Sequence, residues 1–597
     1  MQRFGISRVA TDNRSAKRAL LHLCVASPGA ALLLLSACAA PGAVTVSDDP
    51  PAIVLDAGPR VAFEAVSVPL TYEEQRELRT ATPRYIPLMR VGETVGTGRF
   101  GQLYDRRGAP IADPAAPGSP RVCAANDFNA LLPAHDALFL MSHFECQPGA
   151  IYVTELNQDA ANHHLAPLWT KPVDLADVRG GSLHCAGDIT PWGSLLSSEE
   201  YEPDARSPGA ADGMAAYLEG GAASVNPYDY GWLPEVTLLN NSGASEVQKR
   251  LAMGRFSHEL GLVMPDARTV YLSDDGTNGG LFLFVADAEG DLSSGDLYAA
   301  RWEQTRAGSG GLGAADLTWV PLGHAREDEI ALSTGGAGVG FADLFDAAEP
   351  EAGACPQGYA SINAGPVGQE CLRVRDGMQL AASRLETRRY AALQGATTEL
   401  MKSEGLAWDV DRRRVYLALT RLSGGMTGGS PRDRGGPDHI QLKENRCGGI
   451  LGLPIGDARP LDASGELIES DFVAGSAEMI HTGRPRDYAG TQFEGNTCDV
   501  DDIANPDNLT YIPGAGLLMV AEDTKLHVNN ALWAIDLDSG ERLRVMTAPL
   551  GGELSGLHWS PDIGGYGYLT LTVQNPLRGQ EADAAQKRSI SGYFGPF

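Results

Sequence analysis

The sequence predicts an all-β fold, a six-bladed β-propeller with insertions on its rim. Three observations carry that expectation. The 597 residues include 71 glycines and 37 prolines with only 21 % charged residues, well above the roughly 12 % Gly plus Pro of average usage. Such a surplus of turn formers favours many short elements and excludes long helical bundles and coiled coils. Hydrophobic residues make up 43 %, enough for a large core and too many for a disordered chain. From residue 85 onward one unit recurs: an apolar strand, an acidic or small-residue cluster, a turn, and a second apolar strand.

The clearest units are Ala137–Glu145 with Gly149–Leu156, and Thr269–Asp275 with Gly280–Val285. Arg414–Thr420 pairs with Gly449–Leu453, and Gly516–Asp523 with Ala531–Leu537. Weaker members sit at Gly193–Glu200 and Gly565–Thr572. These units are longer than the usual 40–50-residue blade, but strand pairs at regular intervals argue for a closed array. A single sandwich core does not extend over a chain of this length. The stretch from Ser309 to Gly340 and the segment between Cys355 and Cys371 are then expected as rim insertions. Helical signals are few; Thr71, followed by Tyr72-Glu-Glu, reads as an N-cap.

The N-terminus reads as an address. Arg3, Arg8, Arg14, Lys17 and Arg18 precede apolar stretches that end at Leu35-Ser-Ala-Cys38, the form of a bacterial lipobox. Expected boundaries are a lipoprotein signal peptide over 1–37, a lipidated tether and N-terminal segment over 38–80, with the tether itself over 39–60, and the propeller over 81–597. An ordinary signal peptide cleaved near Cys38 is the alternative. No later stretch approaches the ~20 apolar residues of a membrane span, so membrane contact is expected only through a lipid on Cys38. Beyond Cys24 and Cys38, seven cysteines remain, an odd number for an oxidising compartment. Cys123/Cys146 and Cys355/Cys371 are plausible local bridges and Cys447/Cys498 could be a third; the connectivity does not follow from sequence, and Cys185 is the odd one by its neighbours.

The formal net charge of −29 repels phosphate backbones and argues against bare nucleic-acid binding. An acidic chain can act on phosphates once it has recruited cations. Four motifs offer ligands for them. Cys185 is followed by the pair Glu199-Glu200, joining a thiol for transition metals to carboxylates for hard cations. His258-Glu259 precedes an apolar strand. Lys402-Ser-Glu404 reads as an ion pair, or as a cation ready for an anionic substrate oxygen. Asp507 lies in an Asn-Pro-Asp-Asn turn, with Asp499, Asp501 and Asp502 before it and Glu522-Asp523 after it. Asp274-Asp275 and Glu553 complete the set. Each motif alone reads as structural; together they place carboxylates at comparable points of five or six units, where they repel unless cations bind.

At these residues the sequence resembles the PhoX-type alkaline phosphatases, over residues 80–590. The resemblance rests on the Cys-Ala-Gly…Glu-Glu block from Cys185 to Glu200 and on Gly-Arg-Phe-Ser-His-Glu at 254–259. Further matches begin at Gly295, Glu386, Glu404 and Pro506. It implies a six-bladed propeller holding Fe3+ and Ca2+ and a metal-dependent phosphomonoesterase acting on a small phosphoester, in an exported, monomeric chain. Cys185, Glu259 and Glu404 are the implied metal ligands, with Glu199, Glu200, Asp274, Asp507 and Glu553 as further candidates. Lys402, Glu404 and Cys185 are the implied catalytic set. Lys402-Ser403 stands where the most similar members carry Arg-Pro, and Gly405 where they carry a further acid. Two other readings remain: a non-catalytic Ca2+-stabilised propeller lipoprotein, and a Ca2+-dependent phosphodiesterase or lactonase.

Overall fold

The computed structural model describes residues 61–207, 209–306, 313–334 and 338–597. The signal sequence, Cys24, Cys38 and the tether as far as residue 60 lie outside them. The described chain is built from antiparallel sheets, and six four-stranded meanders follow one another. Their first strands are Asn126–Ala134, Gly187–Ile189, His258–Val263, Ser403–Asp409, Pro506–Ile512 and Glu553–Ile563. Each first strand packs beside the first strand of the next meander, and the sixth packs beside the first.

The apolar runs of the sequence have a direct cause in this arrangement. Both faces of each meander are covered, so alternate residues of one strand enter two different cores. In the strand Leu281–Ala288, Leu281, Leu283 and Val285 pack toward the fourth meander, with Leu417 and Leu451. Phe282, Phe284 and Ala286 pack toward the second, with Leu196 and Leu233. Six such cores lie between successive meanders, including one in which Tyr568 and Tyr593 of the sixth meet Leu131 and Leu140 of the first. The cycle of cores is closed by the chain itself: Ile86–Arg90 supplies the outer strand of the sixth meander, antiparallel to Ile590–Phe594.

Residues 61–80, the N-terminal segment, are packed into the same unit as the meanders, where Arg79–Thr80 pairs with the strand Arg542–Thr547. One expectation changes. Within the expected rim stretch from Ser309 to Gly340, Ala314–Arg326 is a long strand. It pairs with Asp291–Arg306 and touches Ser476–Thr482, welding the third and fourth meanders into one sheet. Its alternating Leu317, Trp319 and Ala315 are buried, a period-2 pattern hidden by the flanking glycines. The Cys355–Cys371 segment forms a small separate sheet. Thr71 caps the helix Tyr72–Gln75 through a capping box with Glu74.

The cysteines pair as 123–146, 355–371 and 447–498, and Cys185 is free and buried. Cys447 and Cys498 are 51 residues apart, so the loop-entropy model assigns that bridge about 4 kcal/mol. A Cys447→Ala/Cys498→Ala variant is expected to unfold at a clearly lower urea concentration than the parent; an unchanged midpoint would mean that this loop is already ordered in the unfolded chain.

Candidate metal centre

The six first strands do more than pack. In the first, third, fourth and fifth meanders the pairing of first to second strand slips by one residue near the start. The slips fall between Asn126 and Asn129, His258 and Gly261, Ser403 and Leu406, and Pro506 and Leu509. Such a bulge leaves one residue unpaired and re-aims its side chain. The residue after the last regular pair is Asp127, Glu259, Glu404 and Asp507 in turn, and all four line one cavity of about 550 Å3. In the sixth meander the slip follows Ser555 and the corresponding residue is Gly556, while Glu553, three residues before it, enters the same cavity. A Cβ on Gly556 would lie 2.4 Å from the carbonyl oxygen of Asp127, so the close approach of these strands requires glycine there.

A second ring comes from the ends of the second strands, which supply Glu145, Glu200, Asp275 and Asp523. At this point the sequence carries three acidic doublets, Glu199-Glu200, Asp274-Asp275 and Glu522-Asp523. Successive residues of extended chain face opposite ways. The second member of each doublet faces the cavity, and the first is consumed by the protein. Glu199 accepts from the backbone of Ser182, Gly231 and Trp232 and pairs with Lys249 at 2.8 Å. Asp274 is clamped by both arms of Arg388 and accepts from Gly280. Glu522 accepts from Ala504, Ala531 and the Trp533 indole.

Nine carboxylates and the Cys185 thiol therefore share one cavity, with Lys402, Arg578 and Lys587 as its cations. Potential ligand atoms of Cys185, Glu200 and Glu259 lie within 4.8 Å of one another, as do those of Glu259, Glu404 and Asp507. Burial, and then the charge of neighbouring carboxylates, foremost Glu145 on Asp127, Glu404 on Glu259 and Asp507, and Asp523 on Glu553, pushes these four acids well above the usual carboxylate range. Burial and the charge of Asp275 raise Glu404 to about 7, against the opposing pull of Lys402. The Cys185 thiol is driven up by burial and by Asp127, Glu259 and Glu200. Asp275 moves the other way: burial opposes ionisation, but Lys402, Glu200 and Tyr201 together hold it below its ordinary value. Lys402 reaches Asp275 Oδ2 and Glu404 Oε1, each at 2.9 Å. Those two carboxylates keep it protonated despite its burial.

This donor set fits cations. Asp127 Oδ1 and Asp275 Oδ1 are buried with no hydrogen-bond partner among the described residues, a costly state for a carboxylate oxygen unless something positive meets it. Two overlapping triads, one with sulfur and one with oxygen alone, suit a thiophilic ion beside a hard one. Behind them stand three buried histidines kept neutral by desolvation, His143 at about 4, His258 at about 3 and His184 well below its usual value. Each spends one ring nitrogen on a backbone carbonyl: His143 on Cys185, His184 on Ser198 and His258 on Gly254. They brace the chain beside Cys185 and Glu259 and do not line the cavity.

The family model described as alkaline phosphatase PhoX matches residues 153–576. The chain belongs to the PhoX family. It is a phosphoester hydrolase by that membership. Among solved structures, Pseudomonas fluorescens PhoX in complex with vanadate, a transition state analogue, is 17 % identical, with a TM-score of 0.56 over 89 % of this chain and 97 % of that one. The polysaccharide lyase Uly1 is 10 % identical over 85 % of this chain and 99 % of its own, with a TM-score of 0.31. The Pseudomonas aeruginosa periplasmic gluconolactonase PpgL is 12 % identical over 79 % and 96 %, with a TM-score of 0.28. No curated protein matches the chain.

Against the residues singled out from sequence, Cys185, Glu200, Glu259, Lys402, Glu404, Asp507 and Glu553 all border the one cavity. Glu199 and Asp274 do not, because Lys249 and Arg388 hold them in the wall, so both are corrected to structural residues. Asp275 takes the place expected for Asp274. Gly405 costs this PhoX-family chain no carboxylate: a Cβ there would lie 2.7 Å from the Leu509 nitrogen, so no side chain fits. Asp127 and Glu145 escaped the sequence reading. Their spacing of 18 residues resembles the 16 of Glu259/Asp275 and of Asp507/Asp523, and that recurrence was the available signal.

The doublets make opposite predictions for adjacent residues. Glu199→Gln removes the partner of buried Lys249 and is expected to destabilise the fold by about 3–5 kcal/mol, read by urea denaturation. Glu200→Gln is expected to keep the fold and lower the metal content of the purified protein. Equal effects from both would contradict the division of roles.

Proposed function

We propose that this chain is an exported, metal-dependent phosphomonoesterase. In this reading the six meanders are the blades of a six-bladed propeller, Fe3+ and Ca2+ occupy its central cavity, and Cys38 carries a lipid at the periplasmic or outer surface. The observation that carries the reading is the convergence of nine carboxylates and a buried thiol on one cavity that also holds a charged lysine. The closed cycle of six cores supports the propeller, and the basic, then apolar, then lipobox-like N-terminus supports export.

Cys185, Glu200 and Glu259 would hold the thiophilic ion, and Glu259, Glu404 and Asp507 a harder one. Bound ions supply Lewis acidity toward the phosphoryl oxygens and discharge the acidic wall. The chain's own residues do the rest. Lys402 is an ammonium with three donors, two of them spent on Asp275 and Glu404. The third is free for a phosphoryl oxygen, where a fixed positive charge counts most as negative charge develops. Its backbone sits in the left-handed region at φ 53°, a strained placement tolerated where geometry matters. The Tyr201 hydroxyl donates to Asp275 Oδ2 at 2.8 Å and so fixes the carboxylate that in turn fixes Lys402. Arg578 and Lys587 at the outer edge add attraction for an incoming dianion.

The purified protein is expected to contain iron and calcium, and to hydrolyse p-nitrophenyl phosphate until a chelator removes the calcium; added Ca2+ then restores turnover. Calcium alone with no hydrolysis would favour the binding-protein alternative. Lys402→Ala is expected to lower kcat/KM about 10²-fold with metal content intact, and Lys402→Arg to retain more activity than Lys402→Ala. Wild-type turnover in Lys402→Ala would remove the lysine from the mechanism.

A further inference from the structure

Beside the carboxylate cavity lies a second one of about 390 Å3. Tyr201 and Asp275 belong to the walls of both. Because Asp275 also anchors Lys402, a phosphate held near that ammonium sits at the partition between the two spaces.

The polar floor of the second cavity is already satisfied. Arg388 spends its guanidinium on Asp274 and Glu202, and Arg389 spends its own on Glu370, Glu386 and Asp204. Arg255 donates to the carbonyls of Tyr230, Leu385 and Pro203. A floor whose arginine donors are all engaged, and whose lining carries the carboxylates of Glu202, Asp204, Asp275 and Glu386, has no donor left for a second anion. The most exposed residues of its wall are apolar or aromatic: Val367 is 53 % exposed and Tyr201 46 %, with Pro366 beside them. Tyr201 is held at the partition by a left-handed backbone, φ 46°, and by its amide on Ser257 Oγ at 2.8 Å.

We propose that this second cavity is the leaving-group subsite of the enzyme. It takes an uncharged aromatic or apolar alcohol moiety, while the phosphate lies across the Tyr201–Asp275 partition near Lys402. The inference rests on the phosphomonoesterase reading above. The volume falls within the range of about 300–1,000 Å3 usual for small-molecule sites and admits a bicyclic ring.

The test compares two esters that transfer the same phosphoryl group, 1-naphthyl phosphate and glycerol 2-phosphate, on the wild type and on Val367→Trp, which fills the cavity from its exposed lip. The ratio of kcat/KM for the naphthyl ester to that for the glycerol ester is expected to fall at least tenfold in the variant, and 1-naphthol is expected to become a weaker product inhibitor. A ratio unchanged within twofold overturns the proposal. Thr277→Trp, at another lining residue of the same cavity, answers the same question should Val367→Trp not fold. If the wild type hydrolyses neither ester, the phosphomonoesterase reading fails. The subsite is then decided by fluorescence titration with 1-naphthol: binding to wild type that is lost on filling supports an apolar site, and no binding to wild type overturns it.

Discussion

Mutual repulsion among buried carboxylates is the constraint around which this chain is arranged. Two unit charges 4.8 Å apart repel by about 3–4 kcal/mol at an effective dielectric of 20, and nine carboxylates border the cavity. Without cations the cavity can relieve that repulsion only by holding protons, which is why burial and neighbouring charge raise most of its acids. Cations change the sign of the problem: they displace the protons and turn the repulsive ring into a ligand cage. The sheets that carry the acids must therefore be rigid without the cage. The six closed cores and the pairing of the two chain ends in the last meander provide that rigidity independently of what fills the centre.

Repetition makes the cage from little sequence information. A one-residue bulge at the start of a first strand aims one acid inward, and the end of the second strand aims another. Because extended chain alternates its faces, an acidic doublet at that end divides its labour. One carboxylate knits the wall to Lys249, Arg388 or the Trp533 indole, and its neighbour points at the centre. The wall carboxylates spend their oxygens on partners within the wall, whereas of the central ones only Asp275 and Glu404 meet a cation, Lys402. That contrast in pairing, between residues adjacent in sequence, separates architecture from chemistry here.

Much of this was legible in the sequence. The second strands of four meanders read directly, since both of their faces are buried and largely apolar, and those of the second and sixth read more weakly, because Ser and Thr interrupt their runs. The disulfides are the pairs that spacing made plausible, although the connectivity itself did not follow from the sequence. The first strands were harder to read, because bulges and polar residues such as Asn126, Ser403 and Asn508 interrupt their pattern at the very place where they carry ligands. Asp127 and Glu145 were hidden for a related reason: each stands alone between a cysteine and apolar residues, with no second acid to draw notice. Conversely, the doublets drew too much notice. Sequence marks Glu199 and Glu200 as equivalent, and only the direction of the backbone at the end of Leu195–Ser197 tells which one turns inward. The strand Ala314–Arg326 was missed because its flanking glycines gave the whole stretch the composition of a loop.

The overall charge of −29 bears on how such a protein handles an anionic substrate. Long-range attraction cannot come from the net charge, which is screened within about 8–10 Å at physiological salt and has the wrong sign. It has to be local. Lys402 sits at the cavity wall with its charge fixed by two acids, while Arg578 and Lys587 stand at the outer edge. Cations in the cage would reverse the field at the centre itself. The same acids that make the protein acidic as a whole are then the reason an anion can be held at one point. The floor of the neighbouring cavity, with its arginine donors all engaged, leaves the uncharged remainder of that substrate a separate place to lie. Sorting charge from apolar surface across the Tyr201–Asp275 wall lets one acidic chain bind the phosphate end of a molecule and its organic end by different physical means.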